Sequence, residues 1–301
     1  MRPIEVSHLA KAFGATQAVA DVSFEVQRGE IFGLLGPNGA GNTTSILLIL
    51  DIFRPDRGTV AILGGAMTEQ KKNRIGYMPE ERGLYQDAPL EHCLTYLATL
   101  KGLSAADARR RLAAYLERFD LAAHKTKKVK ELSKGMQQKA QIISTILHGP
   151  ELLIVDEPFA GLDPVNTQLV KELLQELRGQ GTAIIMSTHQ MHQVEELCNR
   201  IVLIDHGRNV LYGVLADIRR RYAGDALLVQ TAAGLPRLDG VLQVAPHNGA
   251  AKLTLAQGVS PQDVLAQLVA LRVPVERFEI AVPTLDEIFI RTVSAPDKEA
   301  S

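Results

Sequence analysis

The chain has 301 residues, enough for two domains and a substantial core. Lys and Arg number 33 against 34 Asp and Glu, a formal charge of −1, and that balance argues against a dedicated nucleic-acid binder. The two cysteines, Cys93 and Cys198, show neither metal-ligand spacing nor a disulfide framework, and no run approaches the roughly 20 apolar residues needed to cross a bilayer.

The cysteine usage favours a reducing compartment, Met1 to Val6 lacks the apolar core of a secretory signal, and without an apolar span any membrane role is expected to be exerted through a partner. Ile4 to His8 and Val22 to Val26 carry the β-branched content of strands. Phe13-Gly14 falls between them, where an exposed aromatic suits either stacking on an adenine ring or ordinary packing. Gln27 to Glu30 reads as a turn and Ile31 to Leu35 as the next strand. Directly after it comes Gly36-Pro37-Asn38-Gly39-Ala40-Gly41-Asn42-Thr43-Thr44, then the apolar run Ser45 to Leu50. Strand, glycine-rich turn and helix are the context of a phosphate-binding loop. Glycines let successive N–H groups point into one hollow, and the helix N-terminus adds partial positive charge. The pattern G-x-x-x-x-G-K-[ST] has lysine after its second glycine, and here that position is Asn42. Thr43 keeps the hydroxyl expected to hold Mg²⁺. Any tight turn uses the same residues, so the loop by itself leaves both readings open.

The helix after Thr44 is expected to end near Arg54, where Pro55 to Gly58 supplies turn chemistry before the strand Val60 to Leu63. Ile75 to Met78 is a short strand running into the charged loop Pro79 to Tyr85. Ser104 to Asp107 resembles a capping box, and Leu112, Tyr115, Leu116 and Phe119 make one apolar face, leaving Arg109 to Arg111 solvated. The basic run from Lys125 to Lys139 has no interleaved aromatics on which bases could stack, so no nucleic-acid partner is expected. Ser133 reads as the N-cap of a helix whose Met136, Ala140, Ile143 and Leu147 face a core. Taken alone, that helix start suits a simple cap or an anion.

Leu152 to Val155 is a continuous apolar run ending in Asp156-Glu157. It places two carboxylates at the C-terminal end of a buried, parallel strand, where open α/β sheets bind ligands. Asp156 suits positioning Mg²⁺ and Glu157 suits polarising a water, against the plainer alternative of capping the helix that follows. Ala160 to Pro164 turns into the helix Val165 to Arg178. The strand Ala183 to Ser187 ends at Thr188-His189, where an imidazole could reach a γ-phosphate or simply sit at the surface. With only Glu195 as a third ligand, His189 and His192 make a poor zinc site. Ile201 to Asp205 and Val210 to Tyr212 read as closing strands. From Gly224 the character changes. Strands at Ala226 to Thr231, Val241 to Val244 and Leu253 to Leu255 precede a helix from Pro261 to Leu271, a strand near Phe278 to Val282, a short helix capped by Thr284 to Glu287, and a polar tail from Ala295.

In order and spacing these pieces resemble the nucleotide-binding subunit of an ABC transporter, over nearly the whole chain. Gly36 to Thr44 resembles Walker A, Leu152 to Glu157 Walker B with its catalytic glutamate, Leu132 to Gln137 the signature segment, and His189 the switch histidine. Phe13 matches the adenine-stacking position, Glu80 the usual Q-loop glutamine, and Ala160 to Asp163 the D-loop. The segments Ile75 to Tyr85 and Leu132 to Lys139, with Val282 to Phe289, resemble the branch of sodium-export-type ATPases that serve ABC-2-type membrane subunits. The resemblance implies an α/β P-loop NTPase cassette over residues 1–223, with a helical subdomain at about 87–147, and a small α+β C-terminal domain over 224–301. It implies an ATPase powering export through a separate permease that contacts Glu80 to Tyr85, peripheral on the inner face of the membrane, and a homodimer.

By the same resemblance Glu157 and His189 are catalytic. ATP falls to Phe13, Gly36, Asn38, Gly39, Gly41, Asn42, Thr43 and Thr44, completed by Ser133 and Gly135 of the second cassette, and Mg²⁺ to Thr43, Asp156 and Glu80. Asn42 carries no charge and is too short to replace an ammonium, so weak ATP binding and reduced hydrolysis are expected. The alternative is a catalytically silent regulatory or structural module.

Overall fold

The computed structural model describes residues 2–81, 83–222, 226–256 and 258–293, and the chain forms two compact units, Met1–Val214 and Leu215–Ser301. In the first unit β1 (Ile4–Phe13), β2 (Thr16–Val26), β3 (Ile31–Leu35), β4 (Arg57–Ile62), β5 (Ile75–Met78), β6 (Leu152–Asp156), β7 (Ala183–Ser187), β8 (Arg200–Asp205) and β9 (Arg208–Val214) form one sheet, in the order 4-1-2-9-8-3-7-6-5. The helices are α1 (Asn42–Ile49), α2 (Glu69–Lys72), α3 (Leu90–Leu100), α4 (Ala105–Arg118), α5 (Lys134–Ile146), α6 (Pro164–Gly179) and α7 (Met191–Leu197). The α/β class is the one expected.

Apolar content decides where each strand goes. Strands β3, β6 and β7 are buried along their whole length and pair in parallel with one another, which is why they read as unbroken apolar runs. Strand β1 alternates at its start, with Ile4 and Val6 inside and Glu5 and Ser7 outside, and pairs antiparallel with β2 and β4. It runs on to Phe13 instead of stopping at His8, through register shifts after Val6, Leu9 and Lys11 and a His8 at φ +49°. Those irregularities break the period of two on which a sequence reading depends. Phe13 therefore ends a strand, paired with Thr16, instead of sitting in a loop. Helix α1 ends at Ile49, short of Arg54, and Asp51 follows at φ +57°.

Helices α3, α4 and α5 lie between β5 and β6 in the chain, with two 3₁₀ turns at Ala122–His124 and Val129–Glu131. Ser104 caps α4 by accepting from Asp107 N–H at 3.1 Å, and Ala108, Leu112 and Leu116 are its buried face, opposite the exposed Arg109 to Arg111. Arg118 on α4 grips Glu176 on α6 through two bonds of 2.7 Å. Two buried glutamines on α5 reach across to the sheet: Gln138 donates to Glu157 O and Pro158 O at 3.3 and 3.2 Å, and Gln141 to Pro79 O at 2.8 Å.

The second unit contains α8 (Leu215–Tyr222), β10 (Ala226–Thr231), β11 (Val241–His247), β12 (Ala250–Leu255), α9 (Pro261–Ala270), β13 (Val275–Ile280) and α10 (Leu285–Val293). Its sheet is antiparallel in the order 11-12-10-13. Leu227, Val229, Leu253 and Leu255 pack against Val264 and Leu268 of α9 as a separate core. The division falls between Val214 and Leu215, ahead of the boundary expected at residue 223. Helix α8 goes with the second unit, where Arg219 Nε donates to Pro283 O at 3.1 Å. Residues 223–225 and the tail from Ala295 lie outside the described residues.

His148, just past α5, is held beside the ammonium of Lys101, and burial together with that charge pushes its pKa down from 6.5 to about 4. The unfolded chain takes up this proton near pH 6.5 and the folded chain only near 4, so protonation favours unfolding as pH falls. Stability complete above pH 6.5 is lost progressively toward pH 4, by about 2 kcal/mol at pH 5. Replacing His148→Gln should remove that loss, so that unfolding midpoints at pH 7.5 and 5 fall further apart in the parent than in the variant. Equal declines would show that His148 is not the buried base described.

Candidate functional site

Ser187 of β7 pairs with Leu34 of β3 on one side and Asp156 of β6 on the other. The segments that leave these three strands therefore open on one edge of the sheet, where they enclose a cavity of about 190 Å³. That edge is the C-terminal end of parallel strands.

Every residue from Gly36 to Thr44 except Ala40 lines the cavity. Gly41, at φ +109°, precedes α1, and a Cβ there would lie 2.4 Å from Ala18 O. A Cβ on Gly36 would lie 2.3 Å from Ile204 O, so the loop needs glycine at both places for the approach of other backbone. The Asn42 carboxamide turns back on its own loop. In the orientation that satisfies both ends, Nδ2 donates to Leu35 O and Oδ1 accepts from Gly36 N–H, each at 3.1 Å.

Opposite the loop stand Asp156 and Glu157. Asp156 is 5% exposed. Burial pushes its carboxyl up to about 6, against the pull of a hydrogen bond from Ser187 and with the support of the negative charges of Glu80 and Glu157. Glu157 has φ +50°, a left-handed conformation uncommon outside glycine, and its N–H donates to Ser187 O at 2.9 Å. Its carboxylate accepts from His189 N–H at 2.8 Å, from the Thr188 hydroxyl at 3.0 Å and from His189 Nδ1 at 2.7 Å. A carboxylate only accepts, so Nδ1 carries the proton in this arrangement.

The cavity thus gathers Gly36, Asn38, Gly39, Gly41, Asn42, Thr43, Thr44, Glu80, Asp156, Glu157 and His189. It does not gather Phe13, Ser133 or Gly135. Phe13 is 44% exposed, with Phe53 edge-on at 5.2 Å and Lys11 Nζ 5.6 Å from the ring. Ser133 caps α5, accepting from Met136 N–H at 3.2 Å. Outside the glycine-rich loop, three lining residues were not among the expected site residues: Ala18, Ser187 and Thr188. The two hydroxyls directly before His189, at the end of a buried strand, were the available signal. His192 pairs with Gln193 at 2.8 Å and is not among the described residues that line the cavity.

The donor set fits a magnesium nucleotide in part. Thr43, Asp156 and Glu80 offer hard oxygen ligands, and the N–H-lined turn at the start of α1 offers donors to phosphate. No lysine or arginine is among the described lining residues, so the positive charge of the usual motif is missing.

Two family models match the chain: "ABC transporter" over residues 19–160 and "ATP-binding protein DrrA1-3-like, C-terminal domain" over residues 213–293. An uncharacterized ABC transporter ATP-binding protein of Bacillus subtilis, YhaQ, is 39% identical over 295 residues, covering 97% of this chain and 99% of that one. The linearmycin resistance ATP-binding protein LnrL of the same organism is 31% identical over 95% of this chain and 97% of its own length. The daunorubicin/doxorubicin resistance ATP-binding protein DrrA of Streptomyces peucetius is 29% identical over 100% of this chain and 95% of its own. Among solved structures, an ATP-binding subunit of an ABC transporter superposes with TM-score 0.69 at 37% identity, covering 73% of this chain and 92% of that one.

A methyl group at Gly41 meets Ala18 O and a strained φ at once. Gly41→Ala should therefore cost about 1–3 kcal/mol and displace the loop. The expected result is a lower melting temperature together with loss of fluorescent-nucleotide binding; a variant as stable as the parent would refute the loop geometry.

Proposed function

The chain belongs to the ABC transporter ATP-binding family, and from that membership we propose that it is the ATPase subunit of an exporter, weakened at one position. The observation that carries the reading is the meeting, in one cavity, of the loop from Gly36, the carboxylates Asp156 and Glu157, and His189. The named relatives LnrL and DrrA are described as resistance proteins, which supports outward transport here. Among the described residues no helix is long and apolar enough to cross a membrane, so transport would need a separate permease of the ABC-2 type. Tyr85, 52% exposed and stacked edge-on against Tyr96, is the apolar element we assign to that contact, with Glu80 at the other end of the same segment. The subunit would then sit on the inner face of the membrane, at its permease.

In this reading two cassettes, most simply two copies of the chain, close head to tail. Ser133 and Gly135 lie away from the cavity of their own chain because they serve the nucleotide on the partner. The N–H groups of Gly36 to Gly41 and the start of α1 receive phosphate, and Phe13 offers its exposed ring to adenine. Magnesium would be held by Thr43, Asp156 and Glu80, and when bound it supplies positive charge against the phosphates. Glu157 accepts a proton from the attacking water. The bonds described, from Thr188 to Oε2 and from His189 N–H and Nδ1 to Oε1, leave one acceptor site on Oε2 for that water, and release of the His189 imidazole would free a second on Oε1. His189, once released, can turn its imidazole toward the γ-phosphate.

Asn42 sets the limit. Loss of one preorganised donor costs on the order of 3 kcal/mol in a transition state, about 10² to 10³ in rate, and loss of a full charge costs more. The Asn42 carboxamide is also already occupied by Leu35 and Gly36. That observation favours a second reading, a nucleotide-binding module that is catalytically silent and relies on an intact partner.

Asn42→Lys is expected to tighten Mg-ATP binding and raise hydrolysis by at least 10² with the permease present, and Glu157→Gln added to that variant should abolish the gain. A folded Asn42→Lys protein that gains neither would leave the silent module as the surviving reading.

A further inference from the structure

The second unit has a cavity of its own, of about 290 Å³. It arises from the two faces of the small sheet. Side chains alternate along β10 and β12, so Leu227, Val229, Leu253 and Leu255 share the face closed by α9. Ala226 and Leu228 share the other face with their register partners Thr254 and Lys252. The segment Ala281–Thr284 and α10 wall that face, fastened to α8 by the bond from Arg219 to Pro283 O and by Tyr222 Oη, 3.3 Å from Thr292 Oγ1.

The hollow has apolar surface from Leu228, Val282 and Pro283, and three basic groups, His247, Lys252 and Arg291, reach it. Among the described lining residues Glu287 is the only acid, and its Oε2 is engaged in accepting from Thr284 N–H at 3.3 Å. Lys252 and Arg291 have no ion-pair partner among the described residues. An apolar hollow alone would take any hydrophobe, and two cations alone any counter-ion. Together they select a molecule with an acid group and an apolar body.

We infer that this cavity binds a small amphiphilic organic acid, its anionic group met by Lys252 and Arg291 and its apolar part lying on Leu228, Val282 and Pro283. At about 30 Å³ per small group, the volume admits a ligand of about ten non-hydrogen atoms. The site lies wholly within the second unit and does not depend on the chain being an ATPase.

Octanoate is a suitable probe, titrated calorimetrically into the full chain beside octylammonium, which has the same chain length and the opposite charge. One saturable octanoate site per chain is expected, with octylammonium at least tenfold weaker. The double variant Lys252→Gln/Arg291→Gln should weaken octanoate at least tenfold with an unchanged melting temperature. Thr254→Glu, which adds a carboxylate among the same cations, should do likewise, and Glu157→Gln should leave octanoate binding unchanged. Absence of saturable binding, equal binding of the two amphiphiles, or full binding by both folded variants would each overturn the assignment.

Discussion

Ser187 stands opposite Leu34 on one strand and Asp156 on another, and the chemistry of the first unit depends on that shared register. Parallel strands leave their loops at one end, so three segments far apart in the chain arrive together without any contact designed for the purpose. A shift of one residue in β7 would turn Ser187 away from Asp156 and carry Thr188 and His189 out of reach of Glu157. The register is fixed from below by five-residue strands buried on both faces, where a slip would expose no polar face to water and simply misalign the packing. Helix α5 then secures the result from the side. Gln138 and Gln141 satisfy carbonyls at Glu157, Pro158 and Pro79, so one helix sets both the carboxylate end of β6 and the segment leading to Glu80.

What could be read from residue order was whatever is local. The strands β3, β6 and β7 announce themselves as apolar runs, and the caps at Ser104, Ser133 and Thr284 are set by hydroxyls that bond within three residues. The site loop was legible for the same reason, since glycines that admit neighbouring backbone leave a pattern. Long-range bonds leave none. Nothing near Gln138 in the chain indicates that its amide serves Glu157, nor does the neighbourhood of Thr188 point to a carboxylate 31 residues earlier. The extent of β1 was hidden by its own irregularity at His8, and α7, seven residues long, was hidden by its brevity.

The second unit obeys a different economy. Its sheet has one face closed by α9 into a complete small core, and the other face carries Thr254, Lys252 and Leu228 in alternation with that core. A strand that must be apolar on one side is free on the other, so residues can be chosen there for contact with a ligand without cost to folding. Placing lysine and arginine around one hollow adds repulsion that solvent largely screens while the hollow is wet. An anion would convert the same pair into an attraction, at no expense to the core behind it.

Asn42 serves the form of its loop with a side chain that carries no charge. In a loop built on glycines, a side chain that cannot reach phosphate would ordinarily leave polar atoms idle beside buried backbone. The carboxamide avoids this by bonding Leu35 O and Gly36 N–H, so the loop retains its form with the charge gone. The electrostatic consequence falls on the carboxylates. Asp156 is raised to about 6 because burial and two neighbouring acids are opposed only by a serine hydroxyl, with no cation on the described cavity wall. A lysine at position 42 would contribute nothing that the fold requires. It would contribute the one positive charge facing three acids, and that is the term on which binding of a polyanion most depends.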